Sequence, residues 1–145
     1  MQGGLVMESF IKAFVLIYLA YQTYKDIREK AVSLRSIMIF SLAGVVINIF
    51  STNISLFDMF LGSAVGFGVI LIGKLMRDGI GIGDGAVLSS IGILIGGKMC
   101  LLIFLMAITI SAVIVIVLLV FKKVKMKQEL PFIPYILCAY LLILM

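Results

Sequence analysis

The sequence contains no histidine. That absence removes the commonest metal ligand and the commonest general base near neutral pH. Zinc hydrolases and enzymes of the Ser-His-Asp or Cys-His kind are therefore excluded, and no metal or other cofactor is expected. Cysteine is nearly missing too: Cys100 and Cys138 both sit in apolar runs, where the thiol acts as a small buried hydrophobe. Charge is scarce. Only 13% of the 145 residues are charged, where an ordinary soluble domain has about 25%. What fills the space is apolar: 63% of residues are hydrophobic, and the mean hydropathy is +1.30. A chain this small leaves much of its surface uncovered. Water cannot be the solvent for that surface, so a lipid bilayer must be.

The net charge is +5, from 12 Lys and Arg against 7 Asp and Glu. Its densest block, Lys122-Lys123-Val124-Lys125-Met126-Lys127, follows a long apolar run. A cluster so placed reads as an anchor at anionic lipid headgroups, not as a nucleic-acid surface. The expected fold is an all-α integral membrane protein, a single membrane-embedded domain over residues 1–145. Apolar stretches of the length a bilayer requires, about 20 residues, give six spans at about 10–24, 34–50, 56–76, 86–97, 99–121 and 131–145. Ser33 is a candidate N-cap for the second, and Ser51-Thr52-Asn53 turns into the third. Gly96-Gly97-Lys98 divides a run too long for one crossing. The fourth span is short, and Pro131 opens the sixth as a residue suited to a first helical turn.

Orientation follows from the basic residues. With six crossings, Lys25, Arg28, Lys30, Arg35, Lys74, Arg77 and the four lysines of 122–127 share one side, leaving Lys12 and Lys98 on the other. Ten against two places loops one, three and five in the cytoplasm and both termini outside. A fourth segment that failed to cross would put the lysine block outside. The first residues lack the basic region and the cleavage site of a signal peptide.

With histidine absent, the carboxylates are the candidate catalysts: Glu8, Asp26, Glu29, Asp58, Asp78, Asp84 and Glu129. Glu8 and Asp58 fall on the outer side. Glu29 lies among Arg28 and Lys30, and Glu129 follows Lys127, so both read first as solvated loop charges. Asp84 stands in Gly79-Ile80-Gly81-Ile82-Gly83-Asp84-Gly85, with four glycines in seven residues. Its structural alternative is a helix N-cap. Asp26 closes the first span at the same membrane face, where the helix dipole disfavours an acid; pairing with Arg28 or Lys30 is its structural alternative. Two carboxylates brought together share a proton, because both cannot easily ionise. The ionised one can then deprotonate water while the protonated one polarises a peptide carbonyl.

At these residues the chain resembles the type IV prepilin peptidases, membrane aspartyl proteases with a Gly-x-Gly-Asp signature. The matching positions are Gly81-Ile82-Gly83-Asp84 and Asp26-Ile27-Arg28, then Lys30 and Val32, and lastly Pro131-Phe132-Ile133-Pro134 against the family's Pro-Phe-Gly-Pro. The likeness runs over residues 10–145. Three positions depart from it: Val32-Ser33-Leu34 replaces Ile-Pro-Asn, Ala86 replaces a lysine, and Ile133 replaces a glycine.

The resemblance implies a prokaryotic cytoplasmic-membrane endopeptidase that cuts the short basic leader from type IV prepilin-like substrates. Asp26 and Asp84 would be catalytic, with Arg28, Gly81 and Gly83 supporting the motif. Glu29, Asp78 and Glu129 are candidate contacts for the basic leader. The first loop, about ten residues without cysteine, has no room for a zinc-binding methyltransferase domain, so a minimal, peptidase-only member is implied. The competing readings are an inactive homologue, a small transport or assembly protein, and a protease acting on other membrane peptides. Against a transporter, no inverted repeat is visible and no charge lies near the middle of a span.

Overall fold

The structure, a computed structural model, describes residues 2–51, 54–75, 81–121 and 131–145. Asp78, Glu129, the turn at Thr52-Asn53 and the lysine block lie outside the described residues. Among the described residues six helices follow one another: α1 (Gln2–Glu29), α2 (Leu34–Ser51), α3 (Leu56–Leu75), α4 (Ile82–Ile95), α5 (Gly97–Val120) and α6 (Ile133–Leu144). Three of them are long and apolar enough to cross a membrane: Gly3–Glu29, Leu56–Leu75 and Gly97–Val120. Large apolar side chains such as Met38, Phe60, Phe67, Leu105 and Ile116 face outward, as expected of a surface solvated by lipid acyl chains.

Three boundaries differ from the sequence expectation. Helix α1 extends past both ends of the apolar stretch, so residues 30–33 alone separate it from α2 and the first loop is shorter than expected. Lys30 ends it in the left-handed conformation (φ 48°), its N–H bonded to the Asp26 carbonyl at 3.0 Å. Helix α4 begins at Ile82, so the glycine-rich motif enters the helix instead of forming a loop before it. Helix α6 begins at Ile133, with Pro134 and not Pro131 in its first turn. Either proline fits there, since first-turn N–H groups have no partner within the helix.

Ser33 does lie before α2, its Oγ 3.5 Å from the Ser36 N–H. Ser55 plays the same part for α3, accepting from the Asp58 N–H at 3.1 Å, which accounts for Asp58 as a first-turn acid.

Helix α4 is the centre of the molecule. Its 14 residues span about 21 Å at about 1.5 Å each, and Val87, Leu88, Ile91 and Leu94 are buried in the core. Against α3 it packs backbone to backbone: a Cβ on Gly62 would strike the Gly92 carbonyl, and one on Gly92 would strike that of Gly62. A turn away, Gly66 lies on Gly85 and Ser89. Small residues permit this approach and the dispersion contacts that come with it.

At the far end Gly96 turns the chain into α5 at φ 83°, a conformation that favours glycine. The Ile93 carbonyl left free there accepts from Asn48 Nδ2 of α2 at 2.6 Å. Helix α1 reaches α4 at only a few positions. It packs on α6, and it meets α2 through the stacked rings of Tyr18, Phe14 and Phe40.

Candidate active site

The extra turn of α1 carries Asp26 into the protein. The residue is only 8% exposed, and its buried Oδ2 has no hydrogen-bond partner among the described residues. The neighbouring cations are engaged elsewhere. Lys25 pairs with Glu29 at 3.2 Å, and the Arg28 guanidinium lies over the Tyr24 ring, 5.4 Å from its centre. Among the described residues no cation pairs with Asp26, so neither Arg28 nor Lys30 supplies the partner the sequence suggested.

Burial disfavours the charge on Asp26 and raises its pKa above the ordinary carboxylate value, and the backbone N–H of Ile133 at the start of α6 opposes that rise. In that first turn Pro134 has no N–H, while Tyr135 and Ile136 both donate to the Phe132 carbonyl. The Ile133 amide is therefore the one left to face Asp26, with the positive end of the α6 dipole behind it. Its side chain contributes to the core instead, fully buried.

Asp84 stands third in α4, and the residue before the helix is Gly81. The N-cap role suggested by the sequence therefore falls to Gly81. From the third position the Asp84 carboxylate reaches back to the Gly81 N–H, half of the reciprocal arrangement known as a capping box.

The motif's glycines now have separate reasons. A Cβ on Gly81 would come 3.2 Å from Asp84 Oδ2; one on Gly83 would collide with Val32; one on Gly85 would lie 2.8 Å from the Gly66 carbonyl. They clear the carboxylate, the α1–α2 connection and α3 in turn. Asp84 lies just before the apolar stretch of its helix, and its pKa is pushed from 3.8 up to about 7. Burial is the main cause, the negative charge of Asp26 the second, and the Gly81 N–H opposes both.

A buried polar ladder runs inward from Asp26, and sequence reasoning passed over it. Tyr18, Gln22 and Asp26 recur every four residues, hence on one face of α1. Tyr18 Oη lies 2.9 Å from Ser90 Oγ of α4, and Gln22 Nε2 donates to Tyr18 Oη at 3.3 Å and to Ser36 Oγ of α2 at 2.9 Å. The signal was the four-residue spacing of polar groups inside an apolar run. Of the proposed leader contacts, Glu29 is exposed and held by Lys25.

The described residues are thus all-helical, with the negative charge of Asp26 acting on Asp84. The comparison with protein families narrows this. The chain belongs to the type IV leader peptidase family, whose model (Peptidase_A24) matches residues 13–117. Asp26, the Gly81-to-Asp84 motif and α2 to α4 lie inside the match, while α6 with Ile133 lies beyond it. No curated protein and no solved structure matches the chain.

Proposed function

We propose that the protein is an aspartic endopeptidase that removes the short basic leader from type IV prepilin-like precursors at the cytoplasmic face of a prokaryotic membrane. The observation that carries this reading is the coupling of Asp26, buried without a cation, to Asp84, whose carboxyl holds a proton up to about pH 7. Membership of a leader peptidase family supplies the substrate class. The expected six crossings, with the basic loops inside, would put both aspartates on the side where a basic leader lies.

Asp26 is the base and Asp84 the acid. The Ile133 amide offsets part of the burial that disfavours charge on Asp26, and burial, with the Asp26 charge second, keeps the proton on Asp84. The lysine that the family often has at position 86 is Ala86 here, so that cation does not oppose the proton on Asp84. In the reaction, Asp26 takes a proton from water as the water oxygen bonds to the scissile carbonyl carbon. The carbonyl oxygen takes the Asp84 proton, giving a gem-diol. The C–N bond then breaks, the amine leaves with the proton held on Asp26, and a diol proton returns to Asp84. Protons balance over the cycle.

The test is co-expression with a prepilin-like substrate, reading leader removal on a gel for wild type, Asp26→Asn and Asp84→Asn. Wild type cuts, and each variant, inserted normally, is silent. A variant that still cuts removes its aspartate from the mechanism.

A further inference from the structure

The directions of the buried hydrogen bonds fix the orientation of Gln22. Ser90 Oγ donates to the Val87 carbonyl at 2.7 Å, so its bond with Tyr18 uses the Tyr18 proton. Ser36 Oγ likewise donates to the Ser33 carbonyl at 2.8 Å. Both hydroxyls that face the Gln22 amide have therefore committed their protons and can only accept. They require its NH₂, and a flipped amide would break the bonds to Ser90 and Ser33. The carbonyl end, Gln22 Oε1, is left as an acceptor with no donor, in a residue that is 0% exposed.

Two more buried polar atoms in the same helical turn have no partner among the described residues: Asp26 Oδ2 and Thr23 Oγ1. Residues three and four apart are neighbours on a helix surface, so Asp26 adjoins both Gln22 and Thr23. The α1 backbone amides are used within the helix. A native fold leaves only a few buried polar groups unpaired, three of those here fall in one turn, and each calls for a partner.

We infer that Gln22, Thr23 and Asp26 form a binding site for one water molecule, and that this is the water Asp26 deprotonates. The chemistry of the three atoms matches one water. It donates one proton to Gln22 Oε1 and the other to Asp26 Oδ2, and it accepts from the Thr23 hydroxyl. Three polar partners are the usual number for a buried water. A proton placed directly between Gln22 and Asp26 would leave Thr23 unpaired.

In this arrangement the fourth position of the water oxygen carries the lone pair that bonds to the scissile carbon. The O–H on Asp26 breaks, its proton passing to Oδ2, and the O–H on Gln22 stays. Gln22 and Thr23 are positioning residues. They bring a nucleophile to a carboxylate in an otherwise apolar interior, and the Tyr18–Ser90 and Ser36 bonds hold Gln22 still. The role of this water in hydrolysis rests on the function proposed above; the site itself does not.

Thr23→Val, with Thr23→Ser as its conservative partner, separates the two. Thr23 Oγ1 has no protein partner, so a purely structural hydroxyl predicts that Thr23→Val leaves the thermal midpoint in detergent unchanged or raised. The water site predicts a fall of a few degrees, restored by Thr23→Ser. This readout requires no peptidase activity, and an unchanged or raised midpoint overturns the site.

In the leader-cleavage assay Thr23→Val and Gln22→Met lower kcat about tenfold or more with KM within about twofold, and Thr23→Ser recovers most of it. Wild-type kcat in Thr23→Val, beside silent Asp26→Asn and Asp84→Asn, overturns the positioning role and leaves the peptidase reading intact. Silent wild type with the predicted midpoint shifts overturns the catalytic role and leaves the water site.

Discussion

Helix α4 meets α3 and α1 in opposite ways. Its contact with α3 is a weld: Gly62 on Gly92 and Gly66 on Gly85 bring backbone against backbone, leaving no side chain able to rearrange. Its contact with α1 is a latch, a few positions joined by the buried Tyr18–Ser90 hydrogen bond. Asp84 rides on the welded pair, and Asp26 on the latched helix. The difference indicates how the carboxylates are held: one by a rigid platform, the other by polar side chains and the α6 terminus. Dispersion at close range fixes the first, and directional hydrogen bonds fix the second.

Breaking the weld has the largest expected effect. Gly92→Val puts a branched side chain into the Gly62 carbonyl, and α3 must move away. Little monodisperse protein is expected on detergent extraction, by size-exclusion profile and resistance to limited proteolysis. Normal yield and profile would show that the backbone contact is dispensable.

Neutralising the carboxylates leaves both contacts untouched. Asp26→Asn and Asp84→Asn are expected to insert and fold like wild type while leader cleavage drops by at least about 10²-fold. Quantitative cleavage time courses check this.

Titration sharpens the comparison. Asp84 has its pKa raised from 3.8 to about 7, so the folded state holds that proton more tightly than the unfolded chain. Its contribution to stability is complete below about pH 4 and is lost as pH rises through about 7. The thermal midpoint should therefore fall across that interval, and Asp84→Asn should flatten the fall. Cleavage should decline on the alkaline side, where Asp84 loses its proton, and on the acid side, where Asp26 gains one.

Loosening the latch has the smallest effect. Tyr18→Phe removes two buried hydrogen bonds, one to Ser90 and one from Gln22, and leaves the ring stack on Phe40 in place. The expected loss is about 1–2 kcal/mol, read by denaturant or thermal unfolding, with α4 still docked on α3.

Much of this architecture is legible in the sequence. The absence of histidine and the excess of apolar residues point to membrane helices, and α2 and α3 begin where hydropathy places them. The start of α4 was misread because glycine density suggests a loop. Here the glycines clear Asp84, Val32 and α3, and they do so from the cap and first turn of the helix. Asp26 and Asp84 stand out by residue type and by the place at one membrane face that the sequence leads one to expect. Their surroundings do not. The Ile133 amide is a backbone group that no side-chain pattern reveals, and the orientation of Gln22 depends on where Ser36 and Ser90 direct their protons. Both emerge only when the helices are assembled.

The central claim is that Asp26 and Asp84 act as one coupled pair across the latched contact. Infrared titration of isotope-labelled aspartate, following the protonated carboxyl C=O stretch, tests it most directly. In wild type a carboxyl band should persist to about pH 7. In Asp26→Asn its midpoint should move down while staying above 3.8, because the neighbouring charge is gone and the burial remains. A midpoint unchanged by Asp26→Asn would contradict the pairing.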